Sequence, residues 1–350
     1  MRPALLLALA AFAGAAPGAD IDAIFAPLAD AKSPGVAVLV RQNGRTIFER
    51  GYGVRDLRTL ARIDAKTDFR LASFTKQFTA MAIMLLVHDG KLRYDQRLTE
   101  IFPDFPAYGR AITIRNLLTH TSGLPDYEDL MKTDQWSATH QIQDGEVLSL
   151  LEKQTAAKFT PGTSWAYSNS GYVVLGLIVA KVSGEPFGQF LHQRIFRPLR
   201  MSRTLTYVNG KNTVPNRAYG HSKQGDQFVE TDQSATSATL GDGGVYSNLE
   251  DLAKWDRALE SHSLISEAEM RPALTPVMLN DATVPKSYGF GWFLEPYENR
   301  PRMWHTGSTM GFRTVIERFT ADKLTIVVLC NRTDLDPEKL ALQASRELIR

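Results

Sequence analysis

Cysteine is almost missing from this sequence: Cys330 stands alone among 350 residues. An internal disulfide is therefore excluded, and so is any zinc framework built from several cysteines. Cys330 closes the apolar run 324–329, which is the setting of a buried, inert thiol. A basic excess is missing as well. With 40 Lys+Arg against 38 Asp+Glu and a formal net charge of +2, the chain lacks the positive face that nucleic acid requires, and no nucleic-acid partner is expected. Long hydrophobic runs are also absent. The apolar stretch 4–13 is only about ten residues, too short to cross a bilayer.

Several familiar chemical signatures do not occur either. There is no Gly-x-Ser-x-Gly nucleophile elbow, no His-Glu-x-x-His, and no phosphate-binding Gly-x-x-x-x-Gly-Lys. Gly241-Asp242-Gly243 lacks the third glycine of a dinucleotide loop. The 7 histidines show no metal-like spacing. Neither a metal nor a cofactor is therefore expected, and His88, His120, His140, His192, His221 and His262 read as surface or loop residues.

What is present begins with Arg2, the apolar stretch 4–13 and the small residues Gly14-Ala15-Ala16-Pro17-Gly18-Ala19. This is the layout of a secretory signal, with cleavage near Ala16 or Ala19. Residues 1–19 are expected to be removed, leaving 20–350 as one folded unit, periplasmic or secreted. No cysteine follows the stretch to carry a lipid, so no stable membrane anchor is expected.

Residues 36–41 and 46–50 are apolar-rich and flank Asn43-Gly44, a strong hairpin signal. Residues 74–88 carry the i, i+3, i+4 stripe of a packed helix, stopped at Gly90. The middle third is punctuated by Pro and Gly, with helical patterns at 113–118, 145–153 and 171–182. Strand texture returns at 288–294, 312–319 and 324–330, and a final helix follows Asp336-Pro337, with Leu340, Leu342 and Leu348 available to pack on the sheet. The fold class expected is α/β of the α+β type. An antiparallel sheet is built from the N- and C-terminal segments and flanked by helices, with a mainly helical lobe inserted. The sheet lobe takes in roughly 20–90 and 240–350, the helical lobe roughly 91–239.

The candidate chemistry starts at Ser73-Phe74-Thr75-Lys76. On a helix, a spacing of three puts the two side chains about 60° apart around the axis and about 4.5 Å along it, so the amine can reach the hydroxyl. Burial and nearby positive charge can turn a lysine into a base at neutral pH, which is the logic of an activated serine. Alone, the pair reads better as a solvated helix-capping serine beside a surface lysine.

Three stretches in order alter that balance. Ser73-Phe-Thr-Lys76, Tyr167-Ser168-Asn169 and His305-Thr306-Gly307-Ser308 resemble the three active-site motifs of the serine β-lactamase and penicillin-recognising family. The resemblance is strongest to the branch of class C β-lactamases, serine D-peptidases and D-aminopeptidases, and β-lactamase-like esterases. It extends through Ile112-Thr-Ile-Arg-Asn-Leu-Leu-Thr-His-Thr-Ser-Gly-Leu-Pro-Asp126 and Gly243-Gly-Val-Tyr-Ser-Asn-Leu-Glu-Asp-Leu252, and covers roughly residues 24–348. Tyr-x-Asn also occurs at Tyr207, Tyr246 and Tyr297. At Tyr246 the neighbouring Ser247-x-x-Glu250 reads as a capping box, and Tyr167 alone has the family's surrounding text.

The resemblance implies roles. Ser73 is the nucleophile, Lys76 and Tyr167 share base and acid duties, and Asn169 bonds the lysine or a substrate amide. The N–H groups of Ser73 and Ser308 form an oxyanion hole, Gly307 leaves space for that approach, and His305 and Thr306 line the site. Class C β-lactamases usually carry lysine where His305 stands, and a neutral or partly charged histidine weakens attraction for an antibiotic's carboxylate. The activity implied is hydrolysis of a small ester, amide or D-peptide, as a β-lactamase-like esterase or D-peptidase. The alternatives are a class C-like β-lactamase, an idle protein that binds cell-wall fragments or β-lactams, and a Ser-His-Asp hydrolase using His305. β-Lactam acylation is open to all but the last. Asp126 and Asp242 read as loop-ordering residues, and Trp136, Trp165, Trp292 and Trp304 as either cleft or core.

Overall fold

Asn43 and Gly44 both adopt positive φ (50° and 74°), the backbone that a two-residue hairpin turn requires. They join β1 (Val36–Gln42) to β2 (Arg45–Tyr52), paired antiparallel with a bulge between Val40 and Arg41. This is a computed structural model, which describes residues 17–131, 135–277 and 287–349. The expected signal segment falls almost wholly outside the described residues. Three further strands come from the other end of the chain: β3 (Arg302–Thr309), β4 (Phe312–Phe319) and β5 (Leu324–Cys330). The five form one antiparallel sheet in the order β3-β4-β5-β1-β2.

β1 and β5 carry apolar stretches, 36–40 and 326–330, because both faces of the sheet are covered. One face packs α1 (Pro17–Phe25) and the final helix Pro337–Leu348 against Val36, Val38, Val40, Ile326 and Val328. That final helix is capped by Asp336 and buries Ala341 and Ala344, with Leu340, Leu342 and Leu348 partly buried beside them. The opposite face, through Ala37, Leu39, Val327 and Leu329, belongs to the main core with α2 (Lys76–His88). Cys330 is buried, and burial pushes its thiol up to about 12.

α2 is preceded by a tight 3-10 turn, Ala72–Thr75, so Ser73 lies in the turn and Lys76 opens the helix. Against α2 packs α3 (Asn169–Ser183). Its first turn is capped by Ser168, whose Oγ accepts from Gly171 N at 3.2 Å, and it ends at Gly184 with φ 76°. Trp255 of α4 (Leu249–Ser261) closes on Phe78 of α2 at 4.7 Å between ring centroids.

Two local expectations are corrected. The cap of α4 is Asn248, whose Oδ1 accepts from Asp251 N at 3.0 Å, while Ser247 Oγ is 2.7 Å from Thr204 Oγ1. Residues 288–294 form no strand. They hold isolated bridges from Tyr288 to Phe293 and from Phe293 to Trp304, because Gly291 turns the chain at φ 77°.

Candidate active site

The nucleophile turn is wedged between strand and helix. Ala72 has φ 50°, a left-handed conformation costly for a residue with a Cβ, immediately before Ser73. Thr314 Oγ1 of β4 donates to Leu71 O at 2.8 Å, tying the turn to the sheet. A Cβ on Gly307 would lie 2.1 Å from that same Leu71 carbonyl. Gly307 thus makes room for the backbone of the nucleophile turn, a tighter demand than the open approach to Ser308 that the sequence suggested.

Lys76 is 0% exposed and its Nζ donates three ways. The acceptors are Ser73 Oγ at 3.0 Å, Asn169 Oδ1 at 2.8 Å and the backbone oxygen of Asp242 at 3.0 Å. The Tyr167 ring centroid lies 4.9 Å from the same Nζ. Ser73, Asn169, Asp242 and Ser308 line one cleft, and Ser308 is exposed on β3, the edge strand of the sheet. Residues 73, 167 and 169 thus meet at the Lys76 amine, and residue 308 shares the cleft with 73 and 169.

His305 sits behind Tyr167, with ring centroids 6.2 Å apart, and is buried. Its Nδ1 is 2.6 Å from the Thr306 carbonyl, which can only accept, so Nδ1 carries the proton. Nε2 is then the acceptor for the Tyr288 hydroxyl at 2.9 Å. Burial, and then the charge of Lys76, push the imidazole down to about 3, so it is neutral. Thr306, the next residue of β3, is partly exposed.

The family model for beta-lactamase matches residues 21–348. The chain belongs to the beta-lactamase family. Penicillin-binding protein 4* of Bacillus subtilis is 31% identical over 94% of this chain and 75% of its own length. Among solved structures, a penicillin binding protein from Bacillus halodurans superposes with a TM-score of 0.80 at 27% identity, covering 94% of this chain and 99% of that one. D-amino acid amidase from Ochrobactrum anthropi SV3 gives a TM-score of 0.76 at 25% identity, over 95% and 97% of the two chains.

This beta-lactamase-family site contains a residue that sequence reasoning set aside. His120 lies in a turn, as expected of a loop residue, but is 1% exposed rather than at the surface, and holds φ at 59°. Its Nδ1 accepts from Ser168 N at 3.1 Å and its carbonyl from Ala166 N at 3.0 Å, so it clamps both neighbours of Tyr167. Its ring packs 4.4 Å from that of Tyr167 and 4.6 Å from that of Tyr288. Burial, followed by the charges of Lys76 and His305, lowers its pKa well below that of an ordinary histidine. The one sequence signal was its place in His120-Thr-Ser-Gly123, where Gly123 turns at φ 70°. His221 is buried too, while His88 pairs with Glu269 at the surface.

Both aspartates order the surroundings. Asp126 accepts from Glu128 N at 3.1 Å and Asn169 N at 2.7 Å, while Asp242 Oδ2 takes the Tyr127 hydroxyl at 3.1 Å. Asn169 Nδ2 donates to Glu128 Oε1 at 3.2 Å. Of the tryptophans, Trp165 and Trp304 join Tyr167, Tyr288 and Phe293 in an aromatic cluster beside the site, whereas Trp292 and Trp136 belong to the main core.

Proposed function

We propose that this chain is an exported serine hydrolase that cleaves a small ester or amide, D-peptides included, through an acyl-enzyme on Ser73. The observation that carries the reading is the buried Lys76 amine, held between Ser73 Oγ, Asn169 Oδ1 and the Asp242 carbonyl. With Asn169 and Asp242 fixing two of its hydrogen-bonding directions, the amine presents the third to the serine hydroxyl. It takes the proton as Ser73 Oγ attacks the substrate carbonyl carbon. The oxyanion settles between the backbone N–H groups of Ser73 and Ser308. Collapse breaks the bond to the leaving group, which receives its proton by way of Tyr167. Water then attacks the acyl-enzyme and returns Ser73 to its starting form.

The neutral His305 favours a β-lactamase-like esterase or D-peptidase over a class C-like β-lactamase, since no fixed charge stands there to draw in an antibiotic's carboxylate. The amidase named among the similar structures acts, by its name, on D-amino acid amides, which supports the same preference. The penicillin-binding names of other relatives support β-lactam acylation of Ser73 as a second reading.

A fluorophosphonate and a fluorescent penicillin test the nucleophile: labelling is expected in the native chain and lost in Ser73→Ala, and labelling that survives overturns the assignment. Turnover of p-nitrophenyl acetate separates hydrolase from binder, a single stoichiometric burst indicating the binder. Export is checked by N-terminal sequencing of protein recovered from the periplasm or medium, with a mature start just after Ala16 or Ala19 expected.

A further inference from the structure

His120 stands on a turn that is polar, buried and braced. Thr119, His120, Thr121 and Ser122 are each no more than 2% exposed. Thr119 Oγ1 donates to Arg115 O at 2.8 Å and Thr121 N to Asn116 O at 2.9 Å, which ties the turn to the helix Ile114–Leu118. Gly162 N donates to Thr121 O at 2.8 Å and Lys158 N to Gly123 O at 2.7 Å, which ties it to the chain that leads to Tyr167. In this frame His120 takes a left-handed backbone, φ 59°, a strain that a residue with a Cβ bears only where its surroundings impose it.

The imidazole so planted is not placed to carry a proton itself. Its Nδ1 accepts from Ser168 N, so the proton sits on Nε2, and Nε2 is buried with no hydrogen-bond partner among the described residues. Burial, and then the charges of Lys76 and His305, keep the ring neutral, as an accepting Nδ1 requires. What His120 does touch is Tyr167, from three sides. Its carbonyl holds Ala166 N, its Nδ1 holds Ser168 N, and its ring lies against the phenol at 4.4 Å between centroids and 36° between planes. The Lys76 amine stands 4.9 Å from the centroid of that same phenol ring, so a shift of His120 moves the phenol relative to the amine.

Resting on the Ser73 acyl-enzyme reading, we propose that His120 is the positioning residue for the Tyr167 proton, so that the reaction depends on His120 only as far as the leaving group needs a proton. In acylation Ser73 gives its proton to Lys76 as its Oγ bonds to the carbonyl carbon. The bond to the leaving group then breaks, with the electron pair going to that group. The Tyr167 hydroxyl supplies the proton it needs, and the Lys76 ammonium returns one to the phenolate. A phenol displaced by about 1 Å loses that transfer. The attack of Ser73, arranged by Lys76, Asn169 and the Asp242 carbonyl, does not involve His120.

Three acetate esters share one acyl-enzyme, so their kcat/KM values compare acylation alone. The leaving group of p-nitrophenyl acetate departs as a stable anion, that of ethyl acetate needs a proton, and phenyl acetate lies between. His120→Gly, free to hold the same φ, is expected to lower kcat/KM about 30-fold for ethyl acetate and less than about threefold for p-nitrophenyl acetate, with fluorophosphonate labelling of Ser73 likewise within about threefold. His120→Asn tolerates that backbone and offers an oxygen to Ser168 N, and is expected to lose only about fivefold on ethyl acetate and nothing on p-nitrophenyl acetate. Tyr167→Phe is expected to show the same dependence on leaving group, and adding His120→Gly to it no further loss. An equal fall for all three esters overturns the proposal, as does a full further loss in the double variant. Where His120→Gly fails to fold, the unequal response of His120→Asn carries the test, and an equal response overturns the proposal. Labelling that persists beside an equal fall overturns this inference alone, while a native chain that is never labelled overturns the acyl-enzyme reading with it.

Discussion

Two unlike walls meet at Ser73. One is polar: Lys76, Asn169, Asp126 and Asp242 are joined by short hydrogen bonds, and almost every donor has a named acceptor. The other is aromatic: His120, Tyr167, Tyr288, Phe293 and His305 pack ring on ring, and the histidines are held neutral. The difference separates two tasks. The polar wall fixes the lysine beside the serine hydroxyl, while the aromatic wall backs Tyr167 and holds two uncharged histidines rather than further cations near the Lys76 amine.

That division predicts unequal losses. Lys76→Met should cost the most, about 10³- to 10⁴-fold in kcat, because the polar wall loses its base; ester turnover measures it, and near-full activity would erase the distinction between the walls. Gly307→Ala comes next. Its Cβ would press on the Leu71 carbonyl, so a loss of about 3 kcal/mol in urea melts is expected, with activity falling alongside.

Acid should act through the aromatic wall. Below pH 6.5 an unfolded chain takes up a proton at His305 that the folded chain refuses until about 3. Stability is therefore intact above 6.5 and falls as the pH drops through that window, by about 2 kcal/mol at pH 5 from this residue. His120 acts in the same sense. Melts at pH 7 and pH 5 check this, and His305→Asn should flatten the slope.

Asn169→Ala should lower kcat/KM about 10- to 30-fold, since Lys76 loses one of three acceptors. Tyr288→Phe should be mildest, about 1 kcal/mol in stability and under tenfold in rate, because it removes one hydroxyl from His305 Nε2. Losses as large as those of Lys76→Met would show that Tyr288 and His305 share the proton chemistry with Tyr167.

The polar wall was partly legible in the sequence because its key pair is local: Ser73 and Lys76 meet through helical spacing, and Asn169 follows Tyr167 by two. The Asp242 carbonyl was not legible, since a backbone acceptor leaves no mark on residue identity. The aromatic wall was largely hidden. A histidine in a polar turn before a glycine reads as exposed, whereas the rings of Trp165, Tyr167, Tyr172 and Tyr288 crowd around His120. Residues 288–294 looked like a strand by their aromatic content, yet the turn at Gly291 overrides propensity. The cap of α4 slipped by one position because Ser247 and Asn248 can both cap, and Ser247 Oγ is taken up by Thr204 Oγ1.

The pairing of β1 with β5 sets the order of events as the chain matures. Val36 lies opposite Cys330, so a strand made near the start of synthesis waits for its second neighbour until almost the end. Such distant pairing makes folding slow, and the waiting edge of the β1–β2 hairpin is open to the wrong partner meanwhile. Ser308 arrives on β3 in the same late segment. A nascent chain therefore holds its serine and lysine long before it can do anything with them, and the last strands to dock act as the clock.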